Sequence, residues 1–597
     1  MTGPGALQRI NALVDQAQWA QAEAAIRRAL ASDSRNTDLA ALMSFVLLRQ
    51  AKLQQAEFFA RQVAQARPND PYALHNCGNI LITMGRFEEG LPFVERAVSI
   101  NPAEPQIHQA RAMGLNGLHR YASAADALRE GLRHCPGDHR LLNLQAYLLQ
   151  WMGRVEEALP ILQGVVAQHP GDVLYAEHLA SMVSYAPGLT DRQILDANLH
   201  YGRLEEARYG PARAWKPQEL RDRLERPLHI GLISPDLRNH AVAFLSEALL
   251  DHADPAEALI FCYSSSSRED AVSRRIRDKA HRWRSVYHVS VDDAARMIEG
   301  DRVDVLIDLA GHTNGNRLNV LARKPAPVQM TYMGFPSTTG LRAVDFRIVD
   351  SITDPPWDES LASEKLLRLD PCFLSYRPPE NPPPVSPLPC GEGEPITFGA
   401  FSALIKFNTP MLGMWARVLK AVPRSRLLLK HFAFAEEQVR SDVTERLVAA
   451  GARTDQVSAL PPEPTAREVL PWYHKVDIAL DTFPYNGTTT FCEAFLMGVP
   501  MVSLRGTTPP ARVGKSLLAA VGLEELCAST EGEFVAIAEA LANDRPRLRQ
   551  IRATLRERFL GSAICDGRGF ARRMVVLCRS AFRRAAGVPG EGDVAAE

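Results

Sequence analysis

The stretch from Asp481 to Gly506, DTFPYNGTTTFCEAFLMGVPMVSLRG, gathers residue types that hold an anion. VDIALDTF enters it as a strand, PYNG turns the chain, and TTTFCEAFLMG reads as a helix. Gly487 permits close backbone approach. Thr488, Thr489 and Thr490 set amide N–H groups and hydroxyls at the positive end of the helix dipole, where a diphosphate is stabilised. Glu493, about one turn on, is placed to accept both hydroxyls of a ribose. Capping a helix takes one hydroxyl. Three behind a glycine, with an acid on the next turn, favour a nucleotide diphosphate over a cap alone.

Lys406, in FSALIKFNTP, follows another strand end in the same half. Beside a diphosphate it would neutralise charge that develops as the nucleotide leaves. An isolated exposed lysine is usually a solvated charge, so this role depends on the threonine loop. Earlier in the chain SPDLRNHAV places His240 after a strand, and LIDLAGHTNGNRL places Asp308 and His312 at the end of another. Histidine at a strand end can transfer protons near neutral pH; a structural role is the alternative. No D-x-D follows a strand and the histidines lack ligand spacing, so the chemistry is expected to run without a metal or cofactor.

The elements that must position these residues are α/β. LHIGLIS (228–234), ALIFCYS (258–264), VDVLIDLAGH (303–312), VQMTYMGF (328–335) and VDFRIVD (344–350) read as buried strands, with helical segments such as EDAVSRRIRDKAHRW between them. That alternation specifies a parallel sheet wound with helices. RPPENPPPVSPLPCGEGEP (377–395) excludes regular structure and reads as a linker. ITFGAFS, SRLLLK, VDIALDTF and VPMVSL then resume the pattern. The expectation is two Rossmann-like doubly wound halves, 227–376 and 396–585, with ligand in the crevice at the carboxyl ends of the strands.

The first third is different. Pro68, Pro102, Pro136 and Pro170 stand 34 residues apart, as do Ala22, Ala56, Gly90, Ala124 and Ala158, with turns marked at Gly85 and Gly153. Ladders sharing that period specify tetratricopeptide repeats, a solenoid of helix pairs, over residues 1–172. Ser34 replaces the proline of the first unit, as end repeats allow. The groove of such a solenoid suits an extended peptide; a spacer or a homodimerisation surface is the alternative. Residues 173–226 read as a helical junction. The arginine-rich 545–584 reads as helices packing back across both halves, and 586–597 as a disordered tail.

Composition narrows the class further. The chain has 597 residues, 68 basic against 69 acidic, and 46% hydrophobic residues. Balanced charge gives no general attraction to nucleic acid or an anionic membrane. The 9 cysteines form no C-x-x-C pair, which suits a reducing compartment. The start lacks a basic head followed by an apolar core, and no run suits a membrane helix. The expectation is a cytoplasmic protein.

A tetratricopeptide array followed by SYAPGLTD, GLISPDLRNH, DLAGHTNGNRLNVLARKPAPVQMTYMGFPSTTG, FGAFSALIKFNTP and LDTFPYNGTTTFCEAFLMGVP resembles the family 41 glycosyltransferases, the O-GlcNAc transferases and SPINDLY-type proteins. The resemblance implies an inverting, metal-independent transferase of GT-B architecture that moves a sugar from a nucleotide diphosphate to Ser or Thr of proteins. It gives Lys406 contact with the diphosphate, His240 the place of the active-site histidine, Thr488–Thr490 the phosphate-binding helix start, and Glu493 the place of a ribose-binding acid. Arg512 is kept from the bacterial pattern, while Pro509 and Pro510 replace a histidine. Ser402 and Ala403 stand where amide side chains are usual, leaving Ser402 as a donor contact. The hydroxyl triplet before a glutamate is closer to the SPINDLY-type version, so GDP-fucose stands beside UDP-GlcNAc as donor. A non-catalytic repeat scaffold with a decayed transferase half is the reading of another class.

Overall fold

The repeats are written in side-chain caps as much as in proline. In the computed structural model, which describes residues 4–50, 52–391, 393–461 and 469–588, the helices Thr37–Arg49, Pro71–Thr83, Pro105–Gly117, His139–Trp151 and Val173–Met182 start 34 residues apart. The residue before each one, Asn36, Asp70, Glu104, Asp138 and Asp172, accepts a hydrogen bond from an amide of the first turn. Each such cap is worth about 1 kcal/mol. This ladder lies in the sequence beside the prolines.

The second helix of a pair is Trp19–Ser32 after Pro4–Asp15, and Leu53–Ala66, Phe87–Ile100, Tyr121–His134 and Val155–Gln168 after the first four helices above. Pro68, Pro102, Pro136 and Pro170 follow the last four. Small residues sit where the pairs cross: a Cβ on Gly90 would lie 2.8 Å from the Gly78 carbonyl oxygen, and Ala22, Ala56, Ala124 and Ala158 are fully buried. The helix-to-helix turns need a left-handed residue. Gly85 (φ 76°) and Gly153 (φ 71°) supply it, and Ala17 (φ 53°) and His119 (φ 59°) adopt it at the equivalent position.

The chain forms two compact units. One runs to Met152 and includes 435–439; the other comprises 153–434 and the chain from Arg440 onward. The repeat register therefore continues past the first unit, and Val155–Gln168 belongs to the second. The expected junction, 173–226, opens with the repeat-register helix Val173–Met182 and continues with Asp191–Tyr209 and a 3-10 turn at Pro217–Arg223.

The second unit holds two parallel sheets. The first contains β1 (Leu228–Ser234), β2 (Ala258–Ser264), β3 (Arg282–Ser285), β4 (Val305–Asp308), β5 (Val328–Tyr332), β6 (Phe346–Val349) and β7 (Lys365–Arg368), in the order β3-β2-β1-β4-β5-β6-β7. The second contains β8 (Thr397–Ala400), β9 (Arg426–Lys430), β10 (Val457–Leu460), β11 (Ile478–Leu480), β12 (Met501–Leu504) and β13 (Cys527–Ala528), in the order β10-β9-β8-β11-β12-β13. The windings reverse between β1 and β4 and between β8 and β11. At such switch points the loops part and leave a crevice.

Residues 377–391 and 393–395 have no helix or strand, yet the linker is held. Arg556 donates to Pro383 O (2.6 Å) and Arg552 to Ser386 O (2.8 Å). Both arginines lie on the helix Arg545–Leu560, which packs on Thr489–Leu496, while the last helix, Gly567–Ala585, packs on Ala241–His252 of the first half. Of the expected tail, residues 589–597 lie outside the described residues. Among the described residues no helix is long and apolar enough to cross a membrane.

Gly85 has nothing within 4 Å of a would-be Cβ, so its left-handed backbone alone sets the cost of a side chain. Gly85→Ala is expected to lower the free energy of unfolding by about 1 kcal/mol, measured by chemical denaturation.

Candidate functional site

The four strands that flank the two switch points carry the candidate residues. β8 leads into the 3-10 turn Leu404–Lys406, β11 into the loop before the helix Thr489–Leu496, β1 into His240, and β4 into Asp308 and His312.

In the second half the two loops meet. Lys406 Nζ donates to Asn486 O at 2.7 Å and lies 4.4 Å from the centroid of the Tyr485 ring. Burial pushes its pKa down, against the opposing pull of the Asp481 carboxylate. Asp481, at the end of β11, is itself buried and pushed upward by loss of water. It accepts from Gly487 N (2.8 Å), Thr482 N (2.8 Å) and Ser503 Oγ (2.6 Å). Asn408 ties the loops a second time, donating to Phe483 O (2.5 Å) while its Oδ1 caps the helix Thr409–Ala421 at Met411 N (3.0 Å).

The helix start is uncapped. Thr488 stands at the cap position without a side-chain hydrogen bond, so its hydroxyl does not serve the helix. The amides of Thr489 and Thr490, in the first turn, have no acceptor within the helix. Thr490 Oγ1 is buried without a hydrogen-bond partner. A Cβ on Gly487 would fall 2.1 Å from Thr490 Oγ1. The close approach that glycine permits is made by this side chain, and the Gly487 amide donates to Asp481. Glu493 accepts a long hydrogen bond from Tyr473 Oη (3.5 Å), and the same hydroxyl lies 3.3 Å from Thr490 O. Deeply set but not closed to solvent, its carboxyl is pushed up to about 7 by burial.

Other expected residues lie elsewhere or do other work. Asp308 is buried, and its oxygens accept from Ala310 N (3.1 Å), Gly311 N (2.7 Å) and Thr331 Oγ1 (2.9 Å). It fixes the turn after β4, and burial holds its pKa at about 6. His312 is also buried, with its ring edge-on to Tyr201 (5.0 Å) and Phe335 (5.4 Å). The backbone of Thr338 and Thr339 approaches it, but neither ring nitrogen makes a hydrogen bond of ordinary geometry. Burial pushes its pKa down to about 4, so the ring is neutral near pH 7. Both side chains are packed into the turn that follows β4.

Arg512 is engaged by partners within the protein. Its guanidinium pairs with Asp358 and donates to Thr353 O (3.0 Å), Gly506 O (3.2 Å) and Thr507 O. Four of its five N–H groups are thereby committed, and two of those partners belong to the first half. Ser402 is 4% exposed at the end of β8.

His240 caps the helix Ala241–His252, its Nδ1 accepting from Val242 N at 3.3 Å. An amide can only donate, so the neutral ring carries its proton on Nε2. Asp236 lies 3.7 Å from Nδ1, and burial lowers the histidine pKa.

Composition and motif reading missed the partners: Asp481, Asn408, Tyr473, Tyr485 and Tyr185. Tyr185, from the junction's SYAPGLTD, stacks on Tyr485 with centroids 4.5 Å apart and planes at 4°. Phe335 approaches Tyr485 at 6.5 Å. Asn408 could have been found, since Asn-Thr-Pro is a helix-start pattern; the tyrosine stack has no local signal.

The sheet orders and the loops at both switch points define a GT-B-like pair of Rossmann halves preceded by a tetratricopeptide solenoid. Glycosyl transferase family 41 matches residues 211–375 and 391–574, and the tetratricopeptide repeat matches 47–114. The chain belongs to glycosyl transferase family 41. It is 38% identical over 406 residues to the "Probable UDP-N-acetylglucosamine--peptide N-acetylglucosaminyltransferase SPINDLY" of Hordeum vulgare, covering 67% of this chain and 43% of that one. The protein of the same name from Arabidopsis thaliana is 41% identical over 363 residues, 60% of this chain and 39% of its own. The chain thus spans less than half the length of these relatives. A solved lysine-to-methionine mutant of the Thermobaculum terrenum O-GlcNAc transferase superposes with a TM-score of 0.74 at 28% identity, covering 93% of this chain and 99% of that one.

Glu493 offers a direct check on the electrostatics. Its pKa rises from an ordinary 4.5 to about 7, so between those values the folded chain holds a proton that the unfolded chain has lost. Stability therefore falls as pH rises through this window. In thermal melts between pH 4.5 and 7.5, Glu493→Gln should lose less melting temperature than the parent over the same span.

Proposed function

We propose that this chain is a protein O-glycosyltransferase that moves a sugar, with inversion, from a nucleotide diphosphate to a serine or threonine hydroxyl. The observation that carries the reading is the meeting of Lys406 with the loop that opens the uncapped threonine helix: a cation 2.7 Å from Asn486 O, beside amides and hydroxyls that the helix does not use. That is an anion site with a fixed positive charge and a helix dipole on the same spot.

In this reading the acceptor Oγ attacks the anomeric carbon, the bond from that carbon to the diphosphate oxygen breaks, and the electron pair leaves on the diphosphate. Lys406 and the amides of Thr489 and Thr490 take up the developing negative charge. Glu493 and Tyr473 receive the ribose. His240, with Nδ1 engaged, offers its Nε2–H as a donor at the reacting centre and so orients the attack. The hydroxyl proton leaves to a group other than the Nδ1 lone pair, such as a donor phosphate oxygen or water. UDP-GlcNAc is the donor favoured by the activity in the relatives' names, with GDP-fucose as the competing donor. The acceptor polypeptide lies along the repeats.

A part-buried lysine fixed to the loop that opens an uncapped helix weighs against a decayed, non-catalytic transferase half. Lys406→Ala is expected to lower transfer or donor hydrolysis by about 10²–10³-fold at an unchanged circular-dichroism spectrum, assayed with UDP-GlcNAc and GDP-fucose. Activity within a few-fold of the parent would reject the role of this lysine.

A further inference from the structure

Two glycines occupy the same place in two repeats and meet different surroundings. Gly85 and Gly153 both close the turn between the helices of a pair, at φ 76° and 71°. Around Gly85 a Cβ would meet nothing within 4 Å. At Gly153 it would fall 2.5 Å from Phe407 O and 2.7 Å from Leu404 O. Backbone angle accounts for the first glycine. The second also answers to a contact, because no side chain fits between this turn and the carbonyls of residues 404 and 407.

Those carbonyls bracket Lys406. The 3-10 turn Leu404–Lys406 is closed by Lys406 N to Ala403 O (2.9 Å) and Phe407 N to Leu404 O (2.8 Å). One flank of the segment is tied to the threonine loop by Lys406 Nζ to Asn486 O and Asn408 Nδ2 to Phe483 O. The other flank is held by the repeat turn. Glu156 Oε1 accepts from Thr409 N at 2.7 Å, and Arg446 Nη2 donates to Gly153 O at 2.8 Å. Glu156 lies in the first turn of Val155–Gln168, so its carboxylate also suits the helix dipole.

We infer that the turn Gly153–Glu156 is a positioning element for Lys406: the last full repeat, besides whatever it presents to a polypeptide, builds one wall of the loop that delivers the cation. The inference rests on the proposed role of Lys406 at the diphosphate. A Cβ at residue 153 must push the 404–407 turn, and a displacement of 1 Å at a charge-positioning group is enough to cost a large part of its effect.

The test compares full-length Gly153→Ala with Gly85→Ala, which imposes the same backbone penalty without the contact, and Glu156→Ala with Glu156→Gln, which keeps an acceptor oxygen. Three quantities are read: the dissociation constants of UDP and GDP by calorimetry, the rate at which Lys406 is modified by an amine-specific reagent, followed by mass spectrometry without nucleotide, and the melting temperature. Gly153→Ala is expected to weaken the bound diphosphate at least tenfold and to change the Lys406 modification rate at least threefold. Gly85→Ala should match the parent in both, although its melting temperature falls. Glu156→Ala should move in the direction of Gly153→Ala, and Glu156→Gln should return to the parent. Equal affinity and equal Lys406 reactivity in the two glycine variants would overturn the inference. If the parent binds neither diphosphate, the reading of the donor site fails, and the modification rate decides the positioning role by itself.

Discussion

A lysine withdrawn from bulk water must be paid in local electrostatics, and the second half of this protein is arranged around that requirement. Lys406 is met by the Asn486 carbonyl, the face of Tyr485 and the field of Asp481. Asp481 in turn holds the Gly487 amide and Ser503. The cation, the carboxylate and the loop between them form one unit in which moving any member exposes another to an uncompensated cost. The helix start that follows is left with amides and hydroxyls to spare because its own cap position makes no bond. On the proposed reading, a positive charge beside unused donors at a switch point is what would hold the donor's diphosphate.

The rest of the second unit keeps the loops in register. Arg512 pairs with Asp358, and Ser516 donates to Asp350 at 2.6 Å, both across the two halves. An aromatic series runs from His312 through Phe335 to Tyr485 and its stacked neighbour Tyr185. Residues that looked chemical by type are thus held in contacts within the fold. A histidine and an aspartate at a strand end are as useful for closing a turn as for moving a proton, and the number of hydrogen bonds already made decides between the two. Asp308 makes three and has little left to offer.

The sequence made the fold legible where periodicity is long-range and redundant. Five repeats, two alternating halves and a linker without regular structure all follow from spacing and composition, and the Arg545–Ala585 helices pack back over both halves as their pattern suggested. The threonine loop and Lys406 were also legible, since each stands directly after a strand that the winding pattern fixes. What was hidden depends on pairing across distance. Nothing near Tyr185 announces that it will stack on a residue 300 positions later, and nothing near Arg512 tells a guanidinium that binds phosphate from one that locks two sheets. Gly153 is a similar case: its repeat position explains a glycine, and only the neighbouring carbonyls explain why nothing larger fits.

The most direct measurement is a crystal structure of the full chain soaked with UDP or GDP at a resolution that shows phosphate oxygens. The account places the diphosphate on the amides of Thr489 and Thr490, with Lys406 Nζ within about 3 Å of a phosphate oxygen and the ribose against Glu493. A nucleotide bound away from that helix start, or one bound there with Lys406 still turned to the Asn486 carbonyl and clear of the phosphates, would contradict it.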